Sequence, residues 1–268
     1  MRFKTPDHER LAAAVLGLSL GELRARRFGG SLQLPESYEH AAKRLEAGEP
    51  LQYVTGRAPF RLLELAVGPG AFIPRPETEI VAGAAIEALL DWPADERLAV
   101  DLGTGAGPMA AALATEVPGA QVVAVERAWA AGGQARANLE PLGVRVELHD
   151  VAQVATPGGP LADLAGRVSV VAANPPYLLK DAELGPGVAE YEPPAALFGG
   201  GADGLDAPRI FLGAAARLLR PRGVLVMEHD PSQAEAMRAA AAEDGLFEDV
   251  QTGLDLNGRD RYLRAVRV

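Results

Sequence analysis

The chain has 268 residues with 26 Lys and Arg against 36 Asp and Glu, a formal net charge of −10, which argues against affinity built on neutralising nucleic-acid phosphates. At 48% hydrophobic and 23% charged it has globular rather than disordered composition, and its length suits one large α/β domain with a smaller appendage. It has no cysteine, which excludes disulfides, thiolate nucleophiles and cysteine-based zinc sites and fits a reducing compartment.

The first segment, residues 7 to 57, carries apolar residues at helical spacing with charges between them. Its apolar stretch from Leu11 to Leu20 has the length of a signal h-region. Asp7 and Glu9 before it and Glu22 after it point instead to an amphipathic helix. No run approaches the roughly 18 uninterrupted apolar residues of a membrane span, so a cytoplasmic protein without membrane contact is expected. Gly56, Pro59, Gly68, Pro69, Gly70, Pro74 and Pro76 then break the chain into short pieces, as in a hairpin or linker. The expected division is a helical domain at 1–58, a linker or hairpin at 59–76 and an α/β domain at 77–268.

Beyond Pro76, short apolar runs alternate with helical stretches, the pattern of a parallel sheet wrapped by helices. The runs lie at 97–103, 121–126, 144–150, 168–176 and 223–229. Two more, near 246–252 and at 262–268, leave no room for a crossover helix between them and predict an antiparallel end to the sheet.

The first run ends in Asp101, Leu102, Gly103, Thr104, Gly105, Ala106 and Gly107, and Pro108 then opens a helix. Glycines here let the backbone take positive φ and approach a ligand closely, while the helix start presents unpaired amides. The spacing is GxGxG after an acid, not the GxGxxG of pyrophosphate sites. Glu126 ends the next strand, where an acid can accept ribose hydroxyls. Asp101, the three glycines and Glu126 together resemble class I S-adenosylmethionine-dependent methyltransferases, a Rossmann-like, mostly parallel seven-stranded sheet with an antiparallel final strand. That resemblance places the glycine loop, Thr104 included, against the methionine portion of S-adenosylmethionine, Glu126 on the ribose, and Asp150 with Val151 at the adenine.

Asn174, Pro175, Pro176 and Tyr177 follow the fourth strand, so they stand at its carboxyl end beside the glycine loop. An NPPY turn offers a side-chain carbonyl and a proline-stiffened backbone carbonyl, two acceptors for the two hydrogens of a planar NH2 group. Gripping both hydrogens favours a pyramidal nitrogen and frees its lone pair. The turn holds no His, Asp or Glu, and the scheme needs no strong base. No metal site is expected.

Such a turn is shared by enzymes methylating the exocyclic amines of adenine or guanine and the side-chain amide of glutamine, so a nucleic-acid amine methyltransferase stands as the alternative. Three segments, EPLQYVTGRAPF at 49–60, FIPRPETE at 72–79 and YEPPAALFGGGADGLDAPR at 191–209, together with NGRDR at 257–261, resemble the PrmC/HemK family of protein glutamine N5-methyltransferases. The resemblance implies a peptide-chain release factor as substrate, methylated at the glutamine of its GGQ motif and docked by the helical domain. It places Arg75 and Glu77 near the cofactor and substrate pocket, Asn174 and Pro175 on the glutamine amide, and Tyr177 against the amide plane. His229, in MEHDPSQ at 227–233, reads as a structural strand-end histidine. Gly132, Gly133 and Gln134 spell GGQ within an expected helix and read as coincidence. Residues 1–58 carry nine Lys and Arg against seven Asp and Glu, a net of +2, which leaves −12 on the remainder. An acidic surface around the pocket suits a protein loop better than a nucleic acid.

Overall fold

The computed structural model describes residues 3–30 and 32–268. Four helices come first: α1 (Pro6–Leu16), α2 (Leu20–Phe28), α3 (Glu36–Glu46) and α4 (Leu51–Thr55). Ser19 caps α2 with a reciprocal Ser19–Glu22 capping box, an arrangement that contributes about 1 kcal/mol to helix stability. The helices close over their own apolar cluster, with Leu11, Ala12 and Leu23 fully buried beside Tyr38 and Ala42. Pro35 sits at the N-cap of α3.

Strands β1 (Arg57–Phe60) and β2 (Leu63–Ala66) form an antiparallel hairpin in the stretch where Gly and Pro punctuation predicts one. Helix α5 (Pro76–Leu90) then leads into a second, seven-stranded sheet. Its elements in chain order are β3 (Leu98–Leu102), α6 (Pro108–Glu116), β4 (Gln121–Glu126), α7 (Trp129–Leu139), β5 (Arg145–Leu148), α8 (Val151–Val154) and β6 (Val168–Ala173). There follow α9 (Val188–Tyr191), α10 (Asp206–Leu218), β7 (Leu219–Glu228), α11 (Ala234–Glu243), β8 (Phe247–Leu254) and β9 (Asp260–Arg267).

The strand order is β5-β4-β3-β6-β7-β9-β8. Strands β3 to β7 pair in parallel, and β9 runs antiparallel between β7 and β8. β3 and β6 are buried along almost their whole length, as parallel strands covered on both faces must be. Two apolar clusters occupy the two faces, one around Leu102, Val171 and Met227, the other around Val81, Leu113 and Val170. The chain winds outward from β3 to β5 and then returns to β6 on the other side of β3. That reversal opens a crevice at the carboxyl ends of β3, β4 and β6, where open α/β sheets bind ligands.

Candidate active site

The glycine loop takes left-handed backbone at Gly103, Gly105 and Gly107, with φ of 69°, 59° and 93°. A Cβ on Gly103 would stand 3.0 Å from the Phe211 ring, and one on Gly107 2.8 Å from Leu139, so φ calls for glycine at both positions and a side chain would also crowd these neighbours. Asp101 fixes the loop from beneath. Its Oδ2 accepts from the Thr104 hydroxyl at 2.5 Å and from the Ala110 amide at 3.1 Å, tying β3 to the first turns of α6. Burial pushes this carboxyl up to about 7, against the opposing effect of both hydrogen bonds.

Glu126 ends β4 almost buried and is shared among three backbone amides. Its Oε2 accepts from Gly105 at 2.9 Å, and its Oε1 from Arg127 and Ala128 at 2.8 Å each. An ionised carboxylate has about four acceptor sites, so one remains for a ligand hydroxyl. Asp150 caps α8 through the Ala152 amide at 2.9 Å and faces Arg127 at 3.4 Å.

One cleft gathers Gly103, Thr104, Gly105 and Glu126 on one side, Asp150 and Val151 at one end, and Asn174 with Pro176 on the remaining wall. Six anticipated residues lie outside that lining, Tyr177 among them. Asp101 and Gly107 act behind the loop, and Pro175 is buried behind the turn. Arg75 caps α5 and pairs with Glu192, a buried carboxylate that also accepts the Ile73 amide at 3.1 Å. The Arg75 guanidinium lies 4.7 Å over the Phe72 ring. Arg75 thereby shapes the Phe72–Pro74 segment of the wall without lining it. Glu77, half-buried in the first turn of α5, lies close enough to Glu228 to oppose its charge.

Tyr177 departs from the expectation that its ring packs on the substrate. Its side chain does not line the cleft, and its hydroxyl donates to Glu228 at 3.0 Å. Its carbonyl accepts from the Gln233 amide at 2.8 Å. Gln233 also donates to the Asp203 carbonyl, linking the NPPY turn to the FGGGADGLD loop.

Sequence reasoning missed Thr78, Phe72, Phe211 and Glu228. The first three line the cleft. Thr78 lies inside the PRPETE segment and Glu228 beside His229, so each was within view but outweighed by a more conspicuous neighbour. His229 is buried, with its Nδ1 on the Asp230 carbonyl at 2.8 Å and its pKa lowered chiefly by burial, as a structural histidine should be. The internal GGQ is structural too. The Gln134 amide clamps Gly68 and Pro69, and a Cβ on Gly132 would stand 2.3 Å from Leu148.

The glycine loop, the strand-end acid and the switch-point cleft define a class I S-adenosylmethionine-dependent methyltransferase. Residues 83–185 match the methyltransferase small domain family. The fold is shared with Thermus thermophilus 16S rRNA N2 G1207 methyltransferase, solved with AdoMet and guanosine, at a TM-score of 0.52 and 21% identity over 79% of this chain and 50% of that one. Two relatives narrow the class, the release factor glutamine methyltransferases of Bifidobacterium longum and Streptomyces coelicolor. The first is 40% identical over 98% of this chain and 93% of its own length, the second 43% over 97% and 89%. The chain belongs to the release factor glutamine methyltransferase family. Its cleft fits S-adenosylmethionine, with the remaining Glu126 acceptor site for a ribose hydroxyl and the apolar Val151, Met109 and Phe211 for the less polar parts.

Proposed function

We propose that this protein transfers the methyl group of S-adenosylmethionine to N5 of the glutamine in the GGQ motif of a peptide-chain release factor. The observation that carries the reading is the placement of Asn174 and Pro176 in the same cleft that the glycine loop and Glu126 line.

The bound cofactor supplies an electrophilic sulfonium methyl group. The protein's own residues prepare the nucleophile. An amide nitrogen is a poor nucleophile because its lone pair is delocalised into the carbonyl. Asn174 Oδ1 and the Pro175 carbonyl accept the two amide hydrogens of the substrate glutamine, holding the nitrogen in the geometry of attack. The rigid prolines fix the distance between these acceptors. After transfer the nitrogen is cationic and loses a proton to solvent, so no side-chain base is required. Arg75 and Glu77 act from the start of α5, Arg75 by holding Glu192 and the Phe72–Pro74 wall.

Residues 1–58 serve as the docking domain for the release factor, and the acidic remainder disfavours RNA and DNA as substrates. No described helix is long and apolar enough to cross a membrane. Action in the cytoplasm completes the reading. The test offers the purified protein radiolabelled S-adenosylmethionine together with a release factor, the same factor with its GGQ glutamine replaced, RNA and DNA. Label is expected in the intact factor alone; label in a nucleic acid would overturn the proposal.

A further inference from the structure

Thr78 and Glu228 are 150 positions apart in the chain and meet beneath the NPPY turn. Thr78 is 2% exposed and Glu228 1%. The Thr78 hydroxyl donates to Glu228 Oε2 at 2.8 Å and accepts from Asn174 Nδ2 at 3.2 Å. The Tyr177 hydroxyl donates to the other carboxylate oxygen at 3.0 Å. Neither residue was singled out by the motifs, and Glu228 does not line the cleft.

A primary amide has two orientations of nearly the same shape and opposite polarity. Only one presents the Asn174 carbonyl to the hydrogens of a substrate amide; the other sets NH2 against NH2. A hydroxyl has a single proton, and Glu228, which burial pushes up but which the Thr78 and Tyr177 hydroxyls and the Arg261 charge hold toward its ionised form, has none to give as a carboxylate. Because the Thr78 proton is committed to Glu228, its oxygen offers Asn174 only lone pairs, and only Nδ2 can approach. Oδ1 is thereby left free on a residue that lines the cleft.

We propose that Thr78 and Glu228 are positioning residues that lock the Asn174 amide with its carbonyl toward the substrate, with Tyr177 holding the Glu228 carboxylate in register. The inference rests on the reading of Asn174 as an acceptor for the glutamine amide. In it the last residue of NPPY is a strut of the relay rather than a platform for substrate.

The test measures methyl transfer to a release factor and, separately, S-adenosylmethionine binding by calorimetry, for Thr78→Val, Thr78→Ser, Glu228→Gln and the Thr78→Val/Glu228→Gln double variant. Thr78→Val keeps the shape and removes the hydroxyl. It should lower kcat about ten-fold with cofactor affinity unchanged, and Thr78→Ser should restore most of the rate. In Glu228→Gln the new amide can donate to Thr78, release its proton toward Asn174 and unlock the flip. It should lower kcat similarly, and the double variant should be no slower than the slower single one. Glu228→Gln carries the same reading if Thr78→Val fails to fold. Unchanged kcat in both single variants, independent losses that multiply in the double variant, or a loss confined to cofactor affinity would each overturn the relay. Absence of transfer by the unaltered protein would refute the proposed function instead.

Discussion

The Gly105 amide donates to the Glu126 carboxylate across 2.9 Å, joining the glycine loop after β3 to the end of β4. The acid with one acceptor site left for a ligand hydroxyl therefore also shapes the loop beside it. Glu126→Ala removes the acceptor of three backbone amides at once.

S-adenosylmethionine affinity should accordingly fall at least about 100-fold in Glu126→Ala, more than the roughly ten-fold that one charge-assisted hydrogen bond alone is worth. Calorimetric titration checks this, and a loss below ten-fold would mean that Glu126 does not hold the ribose.

Asp101 gives the protein a distinctive dependence on pH. Its carboxyl is raised by burial from an ordinary 3.8 to about 7. Between those values the folded state keeps a proton that the unfolded chain has released, so this group's contribution to stability is full below about pH 4 and is lost as pH rises toward 7. The gap bounds the effect at about 4 kcal/mol. Asp101→Asn cannot ionise, so its melting temperature relative to the unaltered protein should rise between pH 5 and 8, read by thermal denaturation across that range. Comparing the two proteins cancels the opposite slope from ion-paired carboxylates such as Glu116, whose pKa is lowered mainly by Arg61.

Two glycines predict opposite outcomes. A Cβ at Gly199 would stand 1.9 Å from the Gly204 carbonyl and 2.9 Å from that of Pro176, both backbone atoms that cannot turn aside. Gly199→Ala should displace the NPPY turn and lower kcat at least about ten-fold. A Cβ at Gly133, on the open side of α7, meets nothing within 4 Å. Gly133→Ala should raise stability by about 1 kcal/mol and leave the rate unchanged. Steady-state kinetics and denaturant melts on the two variants separate the effects.

Much of this was legible in the sequence because it is local. Hydropathy locates all seven strands of the main sheet, and Gly, Pro and acid spacing locates both loops of the cleft. β7 begins four residues earlier than its apolar run, since Leu219 pairs with Val168 of β6 and Arg220, Pro221 and Arg222 form an irregularity before pairing resumes at Val224. The relay from Thr78 to Glu228 was not legible. It exists because the strand order sets β7 beside β6 and packs α5 against both, a tertiary fact with no local pattern. The Tyr177–Glu228 hydrogen bond was not legible for the same reason, because nothing near Tyr177 in the chain announces Glu228.

The most direct measurement of the central claim is peptide mass mapping of a release factor after incubation with the protein and S-adenosylmethionine. A single added methyl group on the side chain of the GGQ glutamine, lost when Asn174→Ala replaces the unaltered protein while cofactor binding persists, is the predicted result. A methyl group on any other residue, or full transfer by Asn174→Ala, would contradict the account.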